Sequence, residues 1–100
     1  MKYRHLGNSG LEVSVIGLGT NNFGGRMEFK EAREVIFSAL DQGINLIDTA
    51  NIYSHGRCEE IIGRALADRR QESLIATKFG MVWEDGPHGH GGSRKHIMDS

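Results

Sequence analysis

Three side chains of complementary chemistry stand out: the carboxyl of Asp48, the phenol of Tyr53 and the amine of Lys78. A carboxylate beside an ammonium keeps a lysine charged even in a poorly solvated place. An ammonium beside a phenol favours the phenolate, which makes the phenol a better acid than its ordinary value of about 10 implies. Such a phenol can protonate a carbonyl oxygen while hydride arrives at the carbon, with no metal required. Taken singly, each residue has a plainer explanation. Asp48 could cap a turn, Tyr53 could be a half-buried aromatic, and Lys78 could be a solvated strand end. Their joint meaning depends on whether the chain brings them to one place.

The elements between them follow from apolar spacing. Lys2–Leu6 and Leu11–Ser14 read as short strands joined by Gly7-Asn8-Ser9-Gly10, a hairpin signal. Val15–Thr20 is a short apolar, glycine-rich run, followed by a polar glycine loop from Asn21 to Arg26. From Glu28 to Gln42 the period changes: Phe29, Ala32, Val35, Ile36, Ala39 and Leu40 fall at helical spacing, and Gly43 follows as a C-terminal stop. Ile44–Asp48 reads as a buried strand and Thr49–Gly56 as a loop. A second amphipathic helix is expected over Arg57–Arg69, with Ile61, Ile62, Ala65 and Leu66 inward and basic residues in its last turn. Ser73–Lys78 reads as a third strand and Phe79–Gly92 as loop, and Ser93 is the expected N-cap of a further helix.

Strands alternating with helices predict parallel βα units with right-handed crossovers. Either a doubly wound sheet or the opening of a (β/α)8 barrel accommodates them. Both put Asp48, Tyr53 and Lys78 at the C-terminal ends of the strands, where barrel active sites are built. Three parallel strands with two open edges, in 100 residues, read as about the first three units of a barrel that typically needs about 250 residues. On this reading residues 1–100 are one partial barrel domain.

The glycine run invites comparison with the dinucleotide fingerprint G-x-G-x-x-G. Here Gly17 and Gly19 are followed by Asn22 where the third glycine belongs, and no helix opens there. The expectation is instead that Gly19 and Thr20 end a strand and let a ligand approach the backbone. His88-Gly89-His90 lacks partners for a metal site and reads as plain loop. His55 and Trp83 are either substrate contacts or loop packing, and Cys58 reads as a half-buried bystander thiol.

The stretch Tyr3–Ser14 with Ile16-Gly17-Leu18-Gly19-Thr20 resembles the start of the aldo-keto reductases. Gly43–Ala50, then Tyr53-Ser54-His55-Gly56, Glu59 and Gly63, resemble that family's signature, and Ala76-Thr77-Lys78 its lysine-bearing strand. The likeness is nearer to the bacterial and channel β-subunit-like branch than to the aldose reductases. It implies a (β/α)8 barrel whose hairpin plugs the bottom. It implies hydride transfer between NADPH and an aldehyde or ketone, or the reverse from an alcohol, with NADH not excluded. Tyr53 would be the general acid, tuned by Lys78 and Asp48, while Gly19, Thr20, Asn21, Asp48 and, less directly, Arg26 would lie near the cofactor. The family's fourth catalytic residue, a histidine at the end of the next strand, and its cofactor-phosphate loops have no counterpart in these residues. His88, His90 and His96 come too early to serve. A catalytically incomplete fragment, or a non-enzymatic binding or regulatory relative, is the alternative reading.

Composition excludes other classes. A formal net charge of -1 offers no attraction for nucleic acid or an anionic membrane. The single cysteine excludes an intrachain disulfide framework and fits a reducing cytoplasm. No apolar run reaches the roughly 18 residues of a membrane span, and the N-terminus lacks the apolar stretch of a signal peptide. The oligomeric state is not readable.

Overall fold

In the computed structural model, which describes residues 1–100, the chain opens with an antiparallel pair, β1 (Tyr3–His5) and β2 (Glu12–Ser14), in which Arg4 lies opposite Val13. Three parallel strands follow, β3 (Gly17–Gly19), β4 (Leu46–Asp48) and β5 (Leu74–Ala76), in the spatial order β3-β4-β5. Helix α1 (Phe29–Asp41) connects the first two and α2 (Arg57–Ala65) the second two, with a short α3 (Arg94–Asp99) near the end. This is the expected order of βα units.

Helix α1 forms where the 3.6-residue period demanded it, and Ala32, Ile36, Ala39 and Leu40 are its buried stripe. It ends in a Schellman arrangement: the N–H of Ile44 bonds the Ala39 carbonyl and that of Gly43 bonds the Leu40 carbonyl. Gly43 has φ +90, and a Cβ there would lie 2.8 Å from the Tyr3 hydroxyl and 3.0 Å from the Met1 side chain. Gly43→Ala is therefore expected to lower stability by more than about 1 kcal/mol, read as a lower urea midpoint at unchanged m.

The two faces of the parallel sheet differ. Leu18, Ile47 and Ile75 stand side by side and pack against the helices, joining a core of Ile36, Leu40, Cys58, Ile61, Ile62 and Leu66 among others. The opposite row at the C-terminal ends is Gly19, Asp48 and Ala76. The hairpin sits at the other end of the strands. Asn45, just before β4, accepts from the Ser14 N–H at 2.8 Å and donates its amide to the Glu12 carbonyl at 3.0 Å. The Tyr3 hydroxyl donates to the Gly43 carbonyl at 2.7 Å. The hairpin thus closes the bottom, as expected, and leaves the top for the site.

Some expectations are corrected. β4 is half-exposed apart from Ile47, because nothing in this chain covers the inner face of the sheet. Helix α2 stops at Ala65 rather than Arg69. Beyond it the chain tightens into i→i+3 turns, and the Arg69 guanidinium turns to Asp41 at 2.9 Å and Glu72 at 2.7 Å. Those two ion pairs replace the expected interaction with the helix end. β5 is shorter than Ser73–Lys78, so Lys78 lies two residues past the strand. Ser93 caps α3 as expected, its hydroxyl accepting from the His96 N–H at 3.0 Å.

Candidate active site

Asp48 ends β4, Lys78 follows two residues after the end of β5, and the turn after β4 delivers Tyr53. Asp48 is the last residue of β4 and lies in register with Gly19 and Ala76. Beyond the strands the ladder continues irregularly: the Thr49 N–H bonds the Ala76 carbonyl at 2.8 Å, and the Asn51 N–H bonds the Lys78 carbonyl at 3.3 Å. These bonds hold the backbone of Lys78 beside the 48–51 segment although the regular strand has ended.

The turn bearing Tyr53 is strained. Ser54 (φ 48) and His55 (φ 50) both adopt the left-handed conformation, and Gly56 (φ 91) follows. Two successive non-glycine residues in that region cost of order 1–3 kcal/mol each and persist only where surroundings dictate them. Here the Ser54 hydroxyl donates to the Phe23 carbonyl at 3.1 Å, and the His55 ring stacks on Trp83, centroids 4.1 Å apart and planes within 8°. The backbone of Trp83 is held in turn by its main-chain N–H donating to the Gly89 carbonyl at 2.8 Å. This turn sets the exit of the chain from Tyr53 into α2.

The three groups meet at the Lys78 ammonium. Its Nζ donates to Asp48 Oδ2 at 2.8 Å, to the Thr49 carbonyl at 2.8 Å and to the Tyr53 hydroxyl at 3.4 Å. The expected burial of the charged pair is corrected: the side chains of Lys78 and Asp48 are 50% and 48% exposed. The inner face of the sheet is open, so water reaches both. Lys78 is nonetheless held above the ordinary lysine range, first by its hydrogen bond to Asp48 and then by that to Tyr53, against some desolvation. A raised value in the folded state means a stabilising contribution that is complete below the unfolded value of about 10.4 and is lost as pH rises through the folded one. The Tm difference between the wild type and Lys78→Met is expected to be constant below about pH 10 and to shrink above it. The pair is half solvated, so the difference is small.

The remaining candidates divide. Gly19 pairs with Asp48, and a Cβ built on it would meet nothing within 4 Å, so the space above this strand end is open to a ligand. Thr20 is 1% exposed and donates its hydroxyl to the Asp48 carbonyl at 2.8 Å. Asn21 and Arg26 are exposed in the loop after β3, and their side chains make no bond to Asp48, Tyr53 or Lys78. Cys58, read as half-buried, is 0% exposed and bonded to both Thr20 and Thr49. Sequence reasoning missed the Thr49 carbonyl as a lysine acceptor, and also the 2.8 Å bond from the Thr77 hydroxyl to Glu59. A main-chain acceptor leaves no trace in residue type; adjacency to Asp48 was the only pointer.

Parallel βα units plugged by a hairpin, with a carboxylate, ammonium and phenol converging at the strand ends, define the N-terminal part of a (β/α)8 barrel. Residues 15–100 match the sequence pattern described as the Aldo/keto reductase family. A holo-form aldo-keto reductase from Bacillus halodurans superposes with a TM-score of 0.84 at 39% identity, over 99% of this chain and 33% of that one. The chain is 39% identical to the aldo-keto reductase YhdN of Bacillus subtilis, over 99% of this chain and 32% of that protein. It is 40% identical to the Arabidopsis thaliana protein named "Probable voltage-gated potassium channel subunit beta", over 99% of this chain and 31% of the relative. The chain belongs to the aldo/keto reductase family. It spans about a third of the length of these relatives.

Proposed function

We propose that the protein carrying this chain is an oxidoreductase that transfers hydride between NADPH and an aldehyde or ketone, or the reverse from an alcohol, with residues 1–100 as the first part of its barrel domain. The observation that carries the reading is the Lys78 ammonium bonded at once to Asp48 and to the Tyr53 hydroxyl. When bound, the nicotinamide supplies the hydride that reaches the carbonyl carbon. Tyr53 gives its phenolic proton to the carbonyl oxygen, and the C=O π bond becomes the O–H bond of the alcohol. Lys78, held by Asp48, stabilises the phenolate left behind. The open strand end at Gly19 and the exposed Asn21 and Arg26 fit a role beside the cofactor, with Thr20 and Asp48 beneath them. No helix is long and apolar enough to cross a membrane, and a reduced Cys58 suits a cytoplasmic protein.

The test is carbonyl-dependent oxidation of NADPH by the purified protein across small aldehydes and ketones, with NADH measured in parallel. Turnover that needs both carbonyl and cofactor is expected. A second reading has its own support in the 40% identity to a protein named as a potassium channel subunit: a binding or regulatory relative without turnover. Cofactor binding with no carbonyl-dependent oxidation would decide for that reading.

A further inference from the structure

The Lys78 ammonium has three acceptors, and they constrain it unequally. The Asp48 carboxylate is half exposed, and an exposed ion pair is a weak positional restraint that water and rotamer entropy readily loosen. The Tyr53 contact is long, at 3.4 Å. The third acceptor, the Thr49 carbonyl at 2.8 Å, belongs to a residue that is 1% exposed. The Thr49 N–H is tied to Ala76 at 2.8 Å, and its hydroxyl lies 3.3 Å from the Cys58 sulfur.

That sulfur is the centre of a buried polar cluster which the proton-transfer reading does not use. Cys58 lies in the first turn of α2 and is 0% exposed. Its Sγ is 3.2 Å from the Thr20 carbonyl and 3.2 Å from the Thr20 hydroxyl. Thr20, 1% exposed, donates its own hydroxyl to the Asp48 carbonyl at 2.8 Å. One assignment of protons uses every donor once: Thr49 O–H to Cys58 sulfur, Cys58 S–H to the Thr20 carbonyl, Thr20 O–H to the Asp48 carbonyl. The cluster therefore joins the end of β3, the end of β4 and the start of α2 around residues 48 and 49. Buried and internally satisfied networks of this kind rigidify what they enclose.

We propose that the Thr20–Cys58–Thr49 cluster is a positioning device: it fixes the 48–49 backbone so that the Thr49 carbonyl and Asp48 hold the Lys78 ammonium beside the Tyr53 phenol. Its importance for turnover rests on the proposed reductase reading; its effect on Lys78 does not. All three members act through Lys78, and none is a proton donor in the reaction.

The experiment is NMR of the Lys78 side chain in the full chain, through its Nζ and Cε resonances, with kinetics alongside. In the wild type the ammonium is expected to be ordered, with a titration midpoint above that of ordinary lysines. Thr49→Val and Cys58→Ala are expected to bring that midpoint down toward the ordinary value and to mobilise the side chain. Thr49→Ser and Cys58→Ser are expected to restore both. A core change away from the cluster, Val13→Ala in the hairpin strand β2, is expected to lower Tm and leave the Lys78 signals in place. In turnover, kcat is expected to fall on the order of tenfold to a hundredfold in Thr49→Val, with KM for the carbonyl little changed. Unaltered Lys78 signals in both Thr49→Val and Cys58→Ala would overturn the proposal. So would a wild-type Lys78 side chain as mobile as those of the exposed Lys2 and Lys30, a measurement that needs no variant to fold. Ordered, cluster-dependent Lys78 signals without NADPH oxidation would sink the reductase reading alone.

Discussion

Tyr53→Phe is expected to lower kcat for carbonyl reduction by about 10²–10⁴-fold, the range over which a positioned general acid contributes. Each decade corresponds to about 1.4 kcal/mol of lost transition-state stabilisation. The substitution removes one oxygen and leaves the ring in its place over the Lys78 ammonium, 5.2 Å from its centroid. Cofactor affinity is therefore expected to hold while the chemical step slows. Stopped-flow or steady-state NADPH oxidation separates the two, because a proton lost only in the transition state lowers kcat and kcat/KM together. Tyr3→Phe is the control: that hydroxyl bonds the Gly43 carbonyl at the opposite end of the strands, and its loss is expected to affect stability rather than turnover. Full activity in Tyr53→Phe would remove Tyr53 from the acid role.

The second large effect concerns the core. Ile36 is 0% exposed and packs from α1 into the core shared with α2 and the sheet. Truncating such a residue to alanine costs about 2–5 kcal/mol, because the cavity left behind closes only partly. Whole small domains are stable by about 5–15 kcal/mol, and a chain of this size buries a modest share of its surface. Here 20 of 100 residues are buried, while Ile16, Phe79, Met81 and Val82 remain more than half exposed. The molecule is a slab of 44 × 36 × 20 Å with the outer edges of β3 and β5 unpaired. On its own, the 100-residue chain is expected to be marginally stable and to associate through those edges, and Ile36→Ala to abolish its cooperative melt at room temperature. Ile16→Ala, at a site 56% exposed, is expected to change stability by no more than about 0.5 kcal/mol. Circular dichroism melts with light scattering read both. A sharp, reversible transition in a monomer that survives Ile36→Ala would contradict the account.

Much of the fold was legible where a local rule acts alone. The helical period of Ala32, Ile36, Ala39 and Leu40 announced α1 to within a residue, because burying one stripe is a requirement of any such helix. Gly43 marked its end because the left-handed turn there excludes a Cβ, and Ser93 marked the start of α3 because its hydroxyl reaches the third N–H of the helix. Boundaries decided by competition were less legible. Helix α2 ends at Ala65, and beyond it the Arg69 guanidinium pairs with the nearby Glu72 and with Asp41 of α1, a partner that sequence distance hides.

The same division runs through the site. By itself the sequence determined which groups are available, a carboxylate, a phenol and an amine, and their order along alternating elements put them at one end of the sheet. Only the tertiary structure decided how far water reaches them, because burial belongs to the neighbours and not to the residue. It alone decided that the Thr49 carbonyl shares the Lys78 ammonium with Asp48, because main-chain acceptors are the same at every position. And it alone decided that Cys58 is a buried junction between two threonines 38 and 9 residues away, because such contacts exist only once the helix has folded back onto the strand ends.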